Sequence, residues 1–145
     1  MTYGEPYVDA LIAEYTKHPV NNFRMEECTI SRHEGNFICG DDITVYLKID
    51  GDSISDFSFD GNCSTITTAA ASLLAELIVG KSISEVMEWG YDTIAANGLD
   101  VSPRRRRAAV ISLLAVRNAI YRYQNVVDPV SGEIKVEEFE DLLDD

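Results

Sequence analysis

The stretch Ile43-Thr44-Val45-Tyr46-Leu47-Lys48-Ile49-Asp50-Gly51 decides the fold. Ile43, Val45, Leu47 and Ile49 alternate with Thr44, Tyr46 and Lys48, the period of two that marks a half-buried strand. Asp50-Gly51 supplies a tight hairpin turn, because both residues tolerate positive φ. The return strand then carries Phe57 and Phe59 on its core side. With residues 27–33 as a third strand, the centre of the chain is a small antiparallel sheet.

Outward from that sheet the apolar period becomes helical. Upstream, Tyr3 to Lys17 puts Val8, Leu11, Ile12 and Tyr15 on one face, and Pro19 stops the helix. Downstream, Ala69 to Val79 presents Leu73, Leu74, Leu77 and Ile78, with Gly80 as its natural end. Ser82 and Glu85 have capping-box spacing for a helix to about Ala96. Ser102-Pro103 opens a third, with Ser as N-cap and Pro in the first turn. Its stripe is Ala109, Leu113, Val116, Ile120 and Tyr123. The class is α+β, with the helices packed on one face of a three-stranded sheet.

The 145 residues suit one domain, spanning 1–125 and followed by an acidic C-terminal tail, 126–145. From Asp128 onward that tail holds eight acids and one lysine, hence −7 of the total −13. It reads as a solvated, partly disordered segment with a short amphipathic piece, Val136, Phe139, Leu142 and Leu143. A pI near 4.4 argues against nucleic acid or an anionic membrane as partner. No apolar run reaches the ~18 residues of a membrane span, and the N-terminus carries acids where a signal peptide needs bases. A cytoplasmic protein is expected.

Three cysteines, Cys28, Cys39 and Cys63, make an odd count that disfavours a disulfide framework. Composition alone favours small buried hydrophobes over reactive thiols. Position says more. Cys39-Gly40-Asp41 leads into the regular strand, and Gly61-Asn62-Cys63-Ser64 lies where sheet passes to helix. Pairing through the hairpin brings Cys39, Asp41, Cys63 and Ser64 to one end of the sheet. Thiolates and a carboxylate gathered there could bind a soft or borderline metal.

Together these pieces resemble the IscU/NifU N-terminal type of iron–sulfur cluster assembly scaffold, over roughly residues 5–123. The likeness is carried by Pro19-x-Asn21, Cys39-Gly40-Asp41, Phe59-x-Gly61, Ile66, Ala69-x-Ala71-Ser72, Gly80-Lys81 and Val101-Ser102-Pro103-x-Arg105. It implies an IscU/SufE-like fold and a two-iron, two-sulfur cluster built on three cysteines and an aspartate. It also implies a cysteine desulfurase that supplies sulfur, cluster-acceptor proteins as partners, and no enzymatic activity of the scaffold itself.

Carried over residue by residue, the family's first cysteine falls on Cys39 and its aspartate on Asp41. The second falls on Ser64, with Cys63 in the place of the preceding glycine. The third falls on Ala108, beside Arg107. Serine is a poor cluster ligand and alanine is none. A one-residue shift at Gly61-Asn62 would bring Cys63 inward and leave Cys39, Asp41 and Cys63 as a three-ligand site for iron, zinc or a labile cluster. Cys28 and His33 have opposite parity in a regular strand and cannot face that site together.

The residues therefore leave three readings open. The chain is a working scaffold, a degenerate scaffold fold acting as a partner-binding or regulatory protein, or a sulfur acceptor using Cys39 alone. Arg104 to Arg107 opposes the macrodipole of the helix it opens. Arg105 and Arg107 are fixed positive charges near the site, and contact of this run with the acidic tail is expected, within or between chains.

Overall fold

The computed structural model describes residues 6–36 and 40–143. Helix α1 (Pro6–Lys17) precedes an antiparallel sheet of β1 (Ile30–Asn36), β2 (Asp41–Asp50) and β3 (Ser53–Asn62), in the order β1-β2-β3. The helices α2 (Thr65–Ile78), α3 (Ile83–Val86), α4 (Tyr91–Ala96), α5 (Arg106–Tyr123) and α6 (Phe139–Leu143) follow, with a 3-10 turn at Pro103–Arg105 leading into α5.

Ile43, Val45 and Leu47 of β2 and Phe57 and Phe59 of β3 are buried, and α5 packs on β1, β2 and α2. Fully burying each such side chain contributes about 1.5–3 kcal/mol, so a one-residue slip, which would turn all of them to solvent, is strongly disfavoured. The hairpin turn centres one residue later than the sequence suggests. Asp50 pairs with Ser53, and of the central residues Gly51 and Asp52 only Gly51 has positive φ, the arrangement of a type II′ turn.

Gly61 is required where it stands. It pairs with Ile43 at φ 136, and a Cβ there would lie 2.0 Å from the Asp42 carbonyl oxygen. Only glycine lets β3 come this close to β2 as the chain turns into α2.

Several boundaries differ from expectation. The third strand runs 30–36 rather than 27–33, and α2 begins four residues before Ala69. The helix expected from Ser82 to Ala96 is broken. Ser82 does cap, accepting the Glu85 N–H at 3.2 Å, but α3 ends at Val86 and the chain restarts at Gly90. Ser102 makes no side-chain cap, and Tyr123, placed on the buried stripe of α5, is 41% exposed.

The largest correction concerns the tail. Residues 126–143 fold back on α5 through a few seated side chains, while most of the segment stays exposed. Val127 bridges Ile134, Glu137 meets Arg117, and Leu142 is 1% exposed within the core. No helix among the described residues is long and apolar enough to cross a membrane.

Candidate metal-binding site

Asp41, Cys63 and Ser64 gather at one end of the sheet, as the hairpin register dictates, and α5 brings Ala108 to them. Asp41 opens β2, Cys63 and Ser64 follow β3, and Ala108 lies in the first turns of α5. Cys39 lies outside the described residues.

What joins them is a hydrogen-bond node centred on the Asp41 carboxylate, which is 4% exposed. Its Oδ1 accepts the Ser64 backbone N–H at 2.6 Å. Its Oδ2 accepts the Thr67 hydroxyl at 2.8 Å and, more loosely, the Ser64 hydroxyl at 3.3 Å. Thr67 Oγ1 also reaches the Ala108 carbonyl, 3.3 Å away. Ser64 is the N-cap of α2, its Oγ accepting the Thr67 N–H at 3.4 Å. Asp41 therefore stands at the positive end of the α2 macrodipole, where a carboxylate is stabilised and a cation is not. The node ties β2, α2 and α5 together.

No one-residue shift occurs at Gly61-Asn62, and Cys63 packs half-buried against the core. The β2–β3 register runs unbroken to Asp42 opposite Asn62, and its one irregularity is at Lys48/Ile49, far from Gly61-Asn62. With the ladder in step, Ser64 takes the inner position, and the Cys63 thiol lies 3.7 Å from the Asp42 carbonyl oxygen. Burial, reinforced by the charges of Asp41, Asp42 and Asp60, pushes that thiol up to about 12, so it is protonated at neutral pH. A persulfide carrier needs the opposite, a thiolate in electropositive surroundings.

The remaining candidates sit elsewhere. His33 pairs with Asp42 on the exposed rim, beside a groove lined by Glu34, Asp41, Asp42 and Glu138. Cys28 lies next to Tyr46, and Thr29 bonds to Leu47, so this thiol belongs to the half of the sheet remote from Asp41. Arg107 extends to Glu140 at 3.0 Å and over the Phe139 ring, committing its charge to the tail, while Arg105 is exposed. Arg106 covers the Tyr91 ring. Among the described residues no three His, Cys, Asp or Glu side chains are placed to hold a metal ion. The donors do not fit a cluster of the usual three-thiolate kind, because one position is a capping hydroxyl and one a methyl group, and the carboxylate already accepts three hydrogen bonds.

Thr67 is the residue sequence reading missed. Its signal was its place three residues after the Ser64 cap, where a helix often carries a side chain that closes the cap.

Donor positions from three separate segments, meeting at one sheet end beneath a single helical layer, define a scaffold-type α+β domain. The chain belongs to the NifU-like N-terminal domain family, whose model matches residues 7–128. It is 33% identical to an iron–sulfur cluster assembly scaffold protein IscU of Streptococcus pyogenes, over 87% of this chain and 90% of that protein. It is 32% identical to the zinc-dependent sulfurtransferase SufU of Bacillus subtilis, over 76% of this chain and 86% of that one. Likeness to the IscU scaffold of Thermotoga maritima, at 30% identity, takes in 59% of this chain and 60% of that protein. A solved structure of a scaffold protein for the SUF system from Fervidobacterium islandicum shares the fold, with a TM-score of 0.67 at 24% identity, covering 76% of this chain and 93% of that one. The family thus includes proteins named as scaffolds and one named as a sulfurtransferase.

Proposed function

We propose that this chain works in iron–sulfur cluster assembly as a scaffold-family protein that acts through its surface, docking on a cysteine desulfurase, and does not hold a stable cluster. The observation that carries this reading is the Asp41 carboxylate, which already accepts three hydrogen bonds. A metal on its Oδ2 would have to displace the Thr67 hydroxyl, and so loosen α2 from β2. An unpaired buried donor costs roughly 1–3 kcal/mol, which opposes metal entry there.

The test is a titration of the cysteine desulfurase of the same organism with the wild type and with Cys39→Ser. A complex retained by Cys39→Ser supports docking by surface. No complex with either protein would overturn the reading.

A second reading has a specific observation in its favour. The Cys63 thiol lies near enough to Asp41 and Asp42 to feel both charges. Cys39, Asp41 and Cys63 would then form a three-ligand site for iron or zinc, in which metal displaces the thiol protons. Zinc bound at one per chain and lost in both Cys39→Ser and Cys63→Ser would establish it.

A further inference from the structure

The C-terminal segment occupies a seat that its own chain has prepared. Arg117 of α5 is buried along with Glu137, and the two form a bidentate pair at 2.7 and 3.0 Å. Asn118 clasps the Glu137 backbone from both sides, accepting its N–H at 2.8 Å and donating to its carbonyl at 3.2 Å. Nearly three turns toward the start of the helix, Arg107 binds Glu140 and stacks on Phe139.

A second observation comes from the break in the helical run after Ser82. Arg117 also donates to the Trp89 carbonyl at 2.7 Å, holding the chain open between α3 and α4. At Gly90 a Cβ would stand 3.2 Å from the Leu142 carbonyl oxygen, so glycine gives the tail room to lie down. Beyond this seat, Glu138 reaches the groove that contains Asp41 and Asp42.

We propose that the Arg107–Arg117 face of α5, with the Trp89-Gly90 break, is a recognition seat for acidic amphipathic helical segments, and that residues 136–143 are its cis occupant. The ligand is defined by its chemistry: a carboxylate for Arg117, an aromatic and a carboxylate for Arg107, and a leucine three residues after the aromatic. The tail is joined to the fold through the turn at residues 129–132, where Val130 is 94% exposed. Tethering at this distance gives an effective concentration on the order of millimolar, so the cis segment excludes a weaker trans segment until it is released. The seat does not depend on whether any metal is bound.

The test keeps the full chain during folding. A protease site placed in the 129–132 turn is cut after purification, and a fluorescent peptide of residues 135–143 is titrated into cut and uncut protein. The peptide is expected to bind cut protein at least tenfold more tightly than uncut protein. Arg107→Glu should weaken it several-fold, and a peptide carrying Glu140→Lys should restore it. A tail that leaves the cut protein only on global unfolding would overturn the proposal by making the segment part of the core. Equal binding to cut and uncut protein, or none to either after the tail has left, would overturn it as well. Uncut chains that exchange tails and dimerise would support the seat, with a second copy as the source of the segment. Arg107 is a surface residue, so its variant stays informative if a substitution at Arg117 fails to fold.

Discussion

Two buried carboxylates in this molecule are satisfied in opposite ways. Asp41 is met by an N–H and two hydroxyls, all neutral, from elements fixed in the core. The Glu137 carboxylate is met by the guanidinium of Arg117 alone, Asn118 holding only its backbone, and it belongs to the C-terminal segment docked on α5. Charge pairing is the stronger interaction of the two, yet the neutral node matters more to the fold. Breaking it leaves β2, α2 and α5 joined by less, whereas the cost of breaking the ion pair is capped by the free energy of tail docking.

Asp41→Ala sharpens this contrast most. It strands the Ser64 N–H and leaves the Thr67 hydroxyl with only the more distant Ala108 carbonyl, so urea unfolding should show a loss of about 3 kcal/mol. An unchanged midpoint would break the comparison by showing that Asp41 carries no structural load. Arg117→Ala should cost less, about 2 kcal/mol, because the tail relieves the unpaired Glu137 by detaching. Hydrogen exchange should then show residues 137–143 losing protection while α5 keeps it. Joint loss of protection would merge the two regions into one cooperative unit.

The third expectation concerns pH. The Cys63 thiol is raised from near 9 to about 12, so the folded state holds its proton longer than the unfolded chain does. The stability this contributes is complete below about pH 9 and is lost as pH rises toward 12. Alkylation of Cys63 at pH 8 should accordingly run at least a hundredfold slower than that of a free thiol, since thiolate alone reacts. Rapid alkylation at pH 8 would place the thiol in a different environment. The smallest effect belongs to Glu140→Gln. This exposed pair with Arg107 should yield about 0.5 kcal/mol in a double-mutant cycle, fading with salt.

The sheet was legible because its cause is local: a period-two stretch and a glycine turn leave little freedom in register. The convergence of Asp41, Cys63 and Ser64 was legible for the same reason, since register sets which strand ends meet, whereas Ala108 on α5 was placed there only by the family resemblance. The one-residue shift at Gly61-Asn62 does not occur, because the close approach at Gly61 holds the ladder in step. The helix break at Trp89-Gly90 could not be read at all. Ser82 and Glu85 give a sound local start, and what meets the break is a hydrogen bond from Arg117 to the Trp89 carbonyl and the close approach of the Leu142 backbone to Gly90, both from far away in sequence. The tail was half legible. Its contact with the arginine run was expected and is seen between Glu140 and Arg107, but the seat of Glu137 on Arg117 and of Leu142 in the core was not.

The central claim is that the Asp41 carboxylate is spent on the α2 cap and is not free for metal. It is tested most directly by iron, zinc and acid-labile sulfide analysis, with a visible spectrum, on protein purified without oxygen or chelator and then offered iron and sulfide. The account predicts metal and sulfide far below one per chain and no lasting colour after gel filtration. Near-stoichiometric iron with sulfide, lost in Asp41→Ala under conditions where that variant remains folded, would contradict it.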